Sequence, residues 1–209
     1  VQLSCMNIIS SALNIAHVIK LEKKDKGINI MPLFHIHGLI ASLLSSIVTG
    51  SSLVCTSGFN ALTFYGSLRN FNPTWITAVP TMYQAILSRA SRNKEIIQSS
   101  NLRFLRSSSA AMPVATIDTL ENVFQCPVIE AYGMTEASHQ MASNFLDGIR
   151  KAGSVGKSAG PEIALFKDNK LITVPNTIGE IVIKGKNVTN GYKNNCLLYT
   201  SPSPRDLST

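Results

Sequence analysis

The 209-residue chain contains a long segment without charged side chains, which limits what it can fold into. No Lys, Arg, Asp or Glu occurs between Ile28 and Leu68. A charge-free segment longer than about 20 residues suggests a transmembrane helix. Proline and glycine residues interrupt this one, and its longest uninterrupted part, Leu39–Thr49, is too short to cross a bilayer. We therefore expect no membrane span, but buried strands and helices of a sheet covered on both faces.

Composition excludes two further classes of chain. Hydrophobic residues make up 44% of the sequence and charged residues 15%, against about 25% charged in an average globular protein. Disordered chains combine low hydrophobicity with many charges, and coiled coils are rich in Glu, Lys and Arg. The length fits one or two globular domains.

The positive charge is concentrated towards the C-terminus. Of the net charge of +7, residues 150–193 carry +5, from eight Lys and Arg against three Asp and Glu. Such an excess forms either a solvated face or a surface for an anionic ligand such as a nucleotide or coenzyme A. No run of five or six basic residues occurs, so we do not expect a nucleic-acid partner.

The cysteines indicate a reducing compartment. Cys5, Cys55, Cys126 and Cys196 are far apart and form no CxxC pair, which argues against a zinc knuckle or a thioredoxin-type site. We interpret them as buried apolar residues of a cytoplasmic protein. A peroxisomal location is the alternative, because we expect the true C-terminus to lie beyond this chain.

Strands alternate with helices from residue 28 to residue 130, which is typical of a parallel α/β sheet with helices on both faces. Ser4 is the expected N-cap of a preceding helix, and Pro80 is expected at the first position of another. The predicted strands are 28–31, 52–55, 75–78, 104–107 and 128–130, and the predicted helices between them are 36–48, 61–71, the one from Pro80, and 113–124.

A different pattern follows. Short strands at 163–166, 171–174 and 179–184, with turns at Asp168–Asn169 and Pro175–Asn176, predict a small antiparallel β module. We expect three parts: an incomplete α/β region over 1–148, an incomplete β-barrel-like subdomain over 149–195, and a non-native tail over 196–209. The tail is dense in Ser and Pro and is similar to a translated sequencing adapter.

Four segments follow predicted parallel strands, where α/β proteins bind their ligands. They are Pro32–Gly38, Val79–Met82, Ser107–Pro113 and Tyr132–Glu136. Because the carboxyl ends of parallel strands meet at one edge of the sheet, we expect the four segments to converge there.

The segment Tyr132–Glu136 combines residue types that suit a magnesium nucleotide. Tyr132 offers a flat face for a base, Gly133 permits a close approach of the backbone to a ligand, and Thr135 offers a hydroxyl to a phosphate. Glu136 offers the hard oxygen that Mg²⁺ prefers. An ordinary strand-exit turn with a helix N-cap is the structural alternative.

Two neighbouring groups have weaker signals. The small residues of Ser107–Ala111 would let a planar ring lie against the backbone, or they form a capped helix start. His35 and His37 would share one face of a strand and could bind zinc, but no third ligand is near, so we expect one of them to line a pocket wall. Glu136 and His139 have helical i, i+3 spacing, which gives too few ligands for a metal site.

Two motifs are rejected. Gly153–Ser158 ends like a phosphate-binding P-loop, but that motif requires Gly where this chain has Lys151, and a β module follows it. Asn187–Thr189 is formally a glycosylation sequon, to which we assign no role.

Together these segments resemble the adenylate-forming enzymes, the superfamily of acyl-CoA synthetases, luciferases and peptide-synthetase adenylation domains. The order and spacing agree over residues 1–195. The segments and the family motifs they resemble are Phe34–Leu39 with PxFHxxGL, Val79–Met82 with VPTM, Ser107–Pro113 with SGGAPL, Tyr132–Glu136 with YGMTE, Gly153–Lys157 with GSVGKP, and Gly179–Tyr192 with GEIxIRGxxVxxGY. Residues 130–144 and 187–195 look most like oxalate–CoA ligases.

The resemblance implies a reaction in two steps and a set of roles. A carboxylate attacks the α-phosphate of ATP to give an acyl-adenylate and pyrophosphate, and the thiol of coenzyme A then displaces AMP. The implied substrates and cofactors are a small carboxylic acid, coenzyme A, ATP/AMP and Mg²⁺. For the nucleotide, the resemblance implies that Tyr132 stacks on adenine, that Ser109, Ala110 and Ala111 form the opposite wall of the adenine site, that Glu130 contacts the adenine amino group, and that Gly133 and Met134 belong to the nucleotide loop. It implies that Thr135 contacts the α-phosphate and that Glu136 holds Mg²⁺. It also implies that His35 is the gate to the coenzyme A channel and that His139 and His37 contact the acid.

The resemblance also implies missing parts. Val1–Ser4 resembles the run that follows the family's phosphate loop, and the chain ends before the family's ribose-binding Asp and catalytic Lys. We therefore expect the isolated 209-residue chain to be nearly inactive. A ligase for a medium-chain or aromatic acid is one alternative, and a non-catalytic nucleotide-binding or interaction module is another.

Overall fold

The computed structural model describes residues 1–168 and 170–193. Asn169 and the whole predicted tail 196–209, including Cys196, lie outside the described residues. The chain forms a seven-stranded, mostly parallel sheet with helices on both faces, followed by a three-stranded antiparallel sheet. The expected α/β class is therefore confirmed.

The predicted elements occur in the expected order, and the structure adds a helix at Lys94–Gln98 and strands at His139–Ser143 and Lys157–Ser158 that the sequence did not predict. The helices are α1 (Cys5–Val18), α2 (Ser45–Thr49), α3 (Phe64–Phe71), α4 (Pro80–Leu87), α5 (Lys94–Gln98) and α6 (Val114–Phe124), and a π-helical segment, His37–Leu44, leads into α2. The strands are β1 (Lys26–Asn29), β2 (Ser52–Cys55), β3 (Trp75–Ala78), β4 (Phe104–Ser107), β5 (Val128–Met134), β6 (His139–Ser143), β7 (Lys157–Ser158), β8 (Glu162–Lys167), β9 (Lys170–Leu171) and β10 (Glu180–Lys184).

The large sheet has the strand order β2-β1-β3-β4-β5-β6-β7. The first five strands in this order are parallel, whereas β6 runs antiparallel to β5 and β7 antiparallel to β6. Strands β8, β9 and β10 form the small sheet. Although β7 lies beyond residue 148, it extends the large sheet, and the domain boundary at 148/149 stays a prediction.

Side-chain alternation along the central strands builds one core on each face of the large sheet. Trp75 and Phe104 stack at a centroid distance of 5.8 Å on the face that α1 covers. Ile76 and Leu105, their neighbours in sequence, pack on the opposite face with α3, α4 and α6. A sheet covered on both faces explains the charge-free segment between residues 28 and 68. In the part of the chain that the structure describes, no helix combines the length and the apolar character needed to cross a bilayer.

Local details confirm some helix signals and correct some strand boundaries. Ser4 caps α1 and accepts a hydrogen bond from the Asn7 backbone at 3.2 Å, and Pro80 opens α4. The first strand begins at Lys26, two residues before its predicted start. The predicted strand 171–174 shortens to Lys170–Leu171, since the chain turns at Pro175–Asn176 with Asn176 at a φ of 59°.

The cysteine interpretation is partly wrong. Cys126 is buried beneath α6, but Cys5 in the first turn of α1 and Cys55 at the end of the edge strand β2 are exposed. All three are free thiols. Their positions at the ends of elements leave two of them outside both cores.

A buried ion pair fastens the amino edge of the sheet. The Asp25 carboxylate, fully buried before β1, accepts hydrogen bonds from Arg103 Nε at 2.8 Å and from Arg103 Nη2 at 2.7 Å. Glu22 N and Thr74 Oγ1 donate to the same carboxylate at 2.9 and 2.8 Å. Burial alone would raise the pKa of Asp25, but these hydrogen bonds outweigh it and the pKa lies below its usual value. The pair lies at the amino ends of the strands, away from the carboxyl ends where α/β proteins bind their ligands.

Candidate functional site

The structure brings the loops after β1 and β4 together with β6 around the ring of His37. His37 Nε2 lies 2.7 Å from Thr77 Oγ1 in β3, and His37 Nδ1 lies 3.0 Å from Ser109 Oγ after β4. The ring centroid of His139, the first residue of β6, is 5.2 Å from that of His37. This group, which we call the histidine floor (His37, Thr77, Arg106, His139 and Gln140), is entirely buried.

Arg106 is the charged member of the histidine floor. Its Nη1 donates to Thr77 Oγ1 at 3.3 Å and its Nη2 donates to Gln140 Oε1 at 3.2 Å. Its Nε is buried without a hydrogen-bond partner. Among the described residues no carboxylate forms an ion pair with it. Burial lowers the pKa of Arg106 to about 10, so the guanidinium is still cationic at pH 7.

Both histidines of the floor are neutral at physiological pH. Burial, and then the nearby Arg106 charge, hold the pKa of His37 well below its usual value, and the same two causes act on His139. His139 has a left-handed backbone with a φ of 99°, and its Nδ1 is buried without a hydrogen-bond partner. Neutral rings can bind a carboxylate by donating a ring N–H.

The predicted HxH face does not form. His35 lies in the turn after β1 and is exposed, whereas His37 opens the π-helical segment and is buried. His35 Nδ1 accepts a hydrogen bond from the His37 backbone N–H at 3.2 Å. Within the described ranges, no three potential metal ligands come together. His37 is instead buried within the histidine floor, and the expectation that one of the two histidines lines a pocket wall stays a prediction.

The residues with predicted nucleotide roles form an exposed rim above the histidine floor. Ser109 has a left-handed backbone with a φ of 73°, which turns the loop after β4 outward. We call these residues the nucleotide rim, and its exposed members are Ser109, Ala110, Ala111, Tyr132, Met134 and Thr135.

Strand β5 continues through the predicted loop, which the sequence did not reveal. Tyr132, Gly133 and Met134 belong to the strand and pair with the unpredicted strand β6. A Cβ at Gly133 would overlap the backbone carbonyl of His139, so glycine is required there by the neighbouring strand. Its predicted contact with a nucleotide stays a prediction.

Glu136 carries the carboxylate predicted to hold Mg²⁺. It lies half-buried in a 3₁₀ turn, Thr135–Ala137, between β5 and β6, and its Oε1 accepts a hydrogen bond from the Tyr192 hydroxyl at 2.6 Å. Because His139 opens β6, the two residues do not share a helix face as their spacing suggested. A half-buried carboxylate beside exposed Thr135 has the hard oxygen donors that Mg²⁺ requires.

Glu130 is buried within β5 and its side chain bonds to a neighbouring loop. Its Oε2 accepts a hydrogen bond from the Gly153 backbone N–H at 2.9 Å. Burial raises the pKa of Glu130, and this hydrogen bond counteracts the rise. The carboxyl group thus connects β5 with the segment that begins at Gly153, and its predicted contact with adenine stays a prediction.

The two rejected motifs have structural roles. Gly153–Ser158 leads into the short strand β7, where a P-loop would lead into a helix; Gly156 has a φ of 79° and faces the Ser143 carbonyl. Asn187 of the sequon is buried, and its Nδ2 donates to Ala137 O at 2.9 Å and to Gln140 O at 3.0 Å. Asn187 therefore fastens the chain to the turn that carries Glu136.

Sequence reasoning missed Thr77, Arg106 and Gln140. Gln140 lies in a strand that was not predicted, and Thr77 is an ordinary β-branched strand residue. Arg106 did leave a signal: it is the one charged residue in Phe104–Ser107, a strand predicted to be covered on both faces, directly before a candidate binding loop.

Comparisons with known proteins identify relatives of this chain. A model of the AMP-binding enzyme family matches residues 1–193. The oxalate–CoA ligase of Arabidopsis thaliana is 45% identical over 199 residues, which cover 93% of this chain and 38% of that protein. The oxalate–CoA ligase of Saccharomyces cerevisiae is 44% identical over 191 residues, which cover 91% of this chain and 34% of that protein.

A solved structure of another coenzyme A synthetase also matches this chain. O-succinylbenzoate–coenzyme A synthetase of Bacillus subtilis, in complex with ATP and a magnesium ion, matches with a TM-score of 0.80 at 27% identity, over 94% of this chain and 40% of that one. The chain thus spans between 34% and 40% of the length of these three relatives.

Proposed function

The chain belongs to the family of AMP-binding enzymes, and we propose that it carries the nucleotide- and acid-binding part of an ATP-dependent carboxylate–CoA ligase with oxalate as its preferred acid. In the first step a carboxylate oxygen bonds to the α-phosphorus of ATP and pyrophosphate leaves. In the second step the sulfur of coenzyme A bonds to the acyl carbon, AMP leaves, and the thiol proton is released.

The residues of the histidine floor determine which acid the site prefers. It offers the neutral imidazole of His139, whose Nδ1 has no hydrogen-bond partner, and Arg106 provides a buried positive charge without a carboxylate partner among the described residues. A small dianion can supply both the missing charge and the missing hydrogen-bond acceptors. The single carboxylate of a medium-chain or aromatic acid is the group that bonds to the α-phosphorus, so such an acid would leave the Arg106 charge unpaired and would bring apolar surface against polar groups. The floor therefore favours oxalate over these alternatives.

The nucleotide rim supports the remaining roles. We assign Tyr132 to stacking on adenine, the Ser109–Ala111 segment to the opposite wall, and Thr135 to the α-phosphate. Their exposure leaves them accessible to a ligand of this size. Glu136 would hold Mg²⁺, which when bound offsets the charge on the phosphoryl oxygens.

His35 and Glu130 complete the assignment. His35 is exposed, and its Nδ1 accepts a hydrogen bond from the backbone N–H of the buried His37, so a movement of its ring would release this hydrogen bond. We assign it to the passage between the acid site and coenzyme A. Glu130 lies behind the rim and is assigned to the adenine amino group through the carboxylate oxygen that Gly153 does not occupy.

Pyrophosphate release measured on a panel of acids tests this function. The protein is the longest product of the gene that encodes this chain, supplied with ATP, Mg²⁺ and coenzyme A. We expect oxalate to give the highest kcat/KM, above butanoate, octanoate and benzoate. A preference for octanoate or benzoate would support the alternative ligase. Nucleotide binding without pyrophosphate release from any acid would support a non-catalytic module.

Glu136→Gln in the same protein tests the rim. The amide keeps the shape of the side chain but removes its charge, so we expect a higher Mg²⁺ concentration for half-maximal pyrophosphate release. Glu95→Gln, on exposed α5, is the matched control. An unchanged Mg²⁺ requirement would remove Glu136 from the proposed metal site.

A further inference from the structure

The proposed function uses the charge of Arg106, but not the hydrogen-bonded chain that Arg106 forms with Thr77. The chain runs from Arg106 Nη1 to Thr77 Oγ1 at 3.3 Å, from Thr77 Oγ1 to His37 Nε2 at 2.7 Å, and from His37 Nδ1 to Ser109 Oγ at 3.0 Å. It begins at a buried cation and ends at an exposed hydroxyl of the nucleotide rim. The direction of the hydrogen bonds in this chain decides whether the Ser109 hydroxyl can donate a hydrogen bond to a ligand.

Counting donors fixes that direction. A guanidinium only donates, so Thr77 Oγ1 accepts from Arg106. The Thr77 hydroxyl hydrogen then has one acceptor within hydrogen-bond distance in the described structure, His37 Nε2. If His37 Nε2 carried the proton, that buried hydroxyl hydrogen would have no acceptor, at a cost of about 1–3 kcal/mol.

The remaining proton of the neutral His37 ring therefore lies on Nδ1. Nδ1–H donates to Ser109 Oγ, whose own hydrogen is free to donate outward. Every hydrogen in the chain points from Arg106 towards the site. The Ser109 backbone has a left-handed φ of 73°, an uncommon conformation for serine, which holds its hydroxyl at the end of this chain.

The charge of Arg106 adds a second effect. On its other side Arg106 Nη2 donates to Gln140 Oε1, and Gln140 Nε2 donates to Ala159 O at 3.0 Å, so this branch ends at a neutral carbonyl. Neither branch reaches a carboxylate in the described residues, and Arg106 Nε has no partner. The positive charge is left for an anion that enters the site.

We propose that Arg106 is the positioning residue that sets the acid selectivity of this site. Through Thr77 and His37, Arg106 makes Ser109 a hydrogen-bond donor. Its unpaired charge favours an acid with two carboxylates over an acid with one. The inference rests on the proposed ligase function for its substrate. The direction of the hydrogen bonds does not depend on that function and can be measured separately.

Two variants separate the charge from the hydrogen bonds. Both are made in the longest product of the gene, and KM and kcat are measured with oxalate and with glyoxylate, which has a single carboxylate. Arg106→Met removes the charge, so we expect the KM for oxalate to rise about 10- to 100-fold and the KM for glyoxylate to rise much less. Thr77→Val breaks the hydrogen-bonded chain but keeps the charge, so we expect both KM values to rise by a similar factor.

Controls show whether the effect is merely structural. Arg106→Lys restores a positive charge and is expected to recover part of the preference for oxalate. Arg92→Met, at an exposed arginine, is expected to leave both KM values unchanged. Circular dichroism identifies variants that do not fold. An equal loss with both acids in Arg106→Met would overturn the selectivity role.

The tautomer of His37 provides a test that needs no activity. In ¹⁵N-labelled protein we expect His37 as the neutral Nδ1–H form, and a mixture of tautomers in Thr77→Val. A protonated Nε2 in the wild type would overturn the hydrogen-bond direction, whatever the enzyme does. Absence of pyrophosphate release from every acid would overturn the proposed function and the selectivity role, and would leave the tautomer result standing.

Discussion

The rings of His37 and His139 meet edge to face, with their centroids 5.2 Å apart and their planes at 63°. One ring comes from the loop after β1 and the other from the start of β6, at opposite sides of the site. Burial and the Arg106 charge keep both rings neutral. The pair therefore contributes hydrogen-bonding groups, while the positive charge of the floor comes from Arg106.

His139→Ala is expected to raise the KM for oxalate selectively, by about tenfold, because a hydrogen bond to one charged carboxylate is lost. The measurement is pyrophosphate release with oxalate and with a monocarboxylic acid. His17→Ala removes an exposed histidine of α1 and is expected to have no effect. An equal loss with the monocarboxylic acid would contradict a role for His139 at the second carboxylate.

Arg106→Met is expected to stabilise the fold while it impairs acid selectivity. The free energy of unfolding should rise by about 1–4 kcal/mol, because a methionine of similar length needs no counter-ion. Calorimetry at pH 7 measures this as a Tm increase, with Arg92→Met as the exposed control. A Tm lower than that of the control would mean that the hydrogen bonds to Thr77 and Gln140 are worth more than the cost of burying the charge.

Arg103→Met is expected to lower the free energy of unfolding at pH 7 by about 3 kcal/mol, since it leaves the Asp25 carboxylate buried without its cation. The pKa of Asp25 is depressed in the folded state, so the contribution of the pair is complete above the unfolded value of 3.8. This contribution to the free energy of unfolding is lost as the pH falls through the pKa of Asp25 in the folded state. The difference in free energy of unfolding between wild type and variant, measured by urea denaturation, should therefore narrow below about pH 4. A gap that stays constant down to pH 2 would contradict the pairing.

Asn187→Asp is expected to destabilise the protein more than Asn187→Ala does. Alanine leaves two carbonyls without a donor, at about 1–3 kcal/mol, whereas aspartate would also place a carboxylate against them. Thermal unfolding shows which of the two variants is less stable, and Asn122→Asp on exposed α6 is the control. Equal stability of the Asp and Ala variants would show that the amide does not donate to Ala137 and Gln140.

Gly133→Ala and Gly66→Ala form a matched pair. A Cβ at Gly133 overlaps the His139 carbonyl, whereas a Cβ at Gly66 in α3 meets no atom within 4 Å. We expect Gly133→Ala to lower the Tm strongly and Gly66→Ala to raise stability by about 0.8–1 kcal/mol, the helix preference for alanine over glycine. A harmless Gly133→Ala would show that β6 does not approach Gly133 this closely.

The sequence predicted the parallel part of the fold well because burial on both faces leaves a clear pattern. The strand Trp75–Ala78 matches its prediction residue by residue, and the helix predicted from Pro80 begins at that residue. Strand β6 was missed because its residues, His139–Ser143, are mostly polar and lack the alternation of a half-buried strand. They are nevertheless all buried, since α1, Asn187 and the histidine floor surround them.

The sequence indicated candidate residues for the site, and their roles stay predictions. Motif spacing indicated the rim residues, but the partners of His37 depend on tertiary contacts between residues far apart in sequence, such as Thr77 and Ser109. No local period encodes such contacts. Arg106 shows the kind of signal that was available: a charge inside a buried strand needs a partner, and a missing partner suggests a ligand.

Strands β5 and β6 are two arms of one hairpin, so Tyr132 of the rim and His139 of the floor share a backbone ladder. His139 carries the backbone carbonyl that faces Gly133, so a substitution that enlarges the acid site at His139 acts on the residue next to the nucleotide rim. Altered acid preference should then carry a cost in nucleotide affinity. Arg106 donates to Gln140 of this hairpin, so Thr77, which lies on another strand and bonds to His37 and Arg106, offers the route to new acids that disturbs the hairpin less.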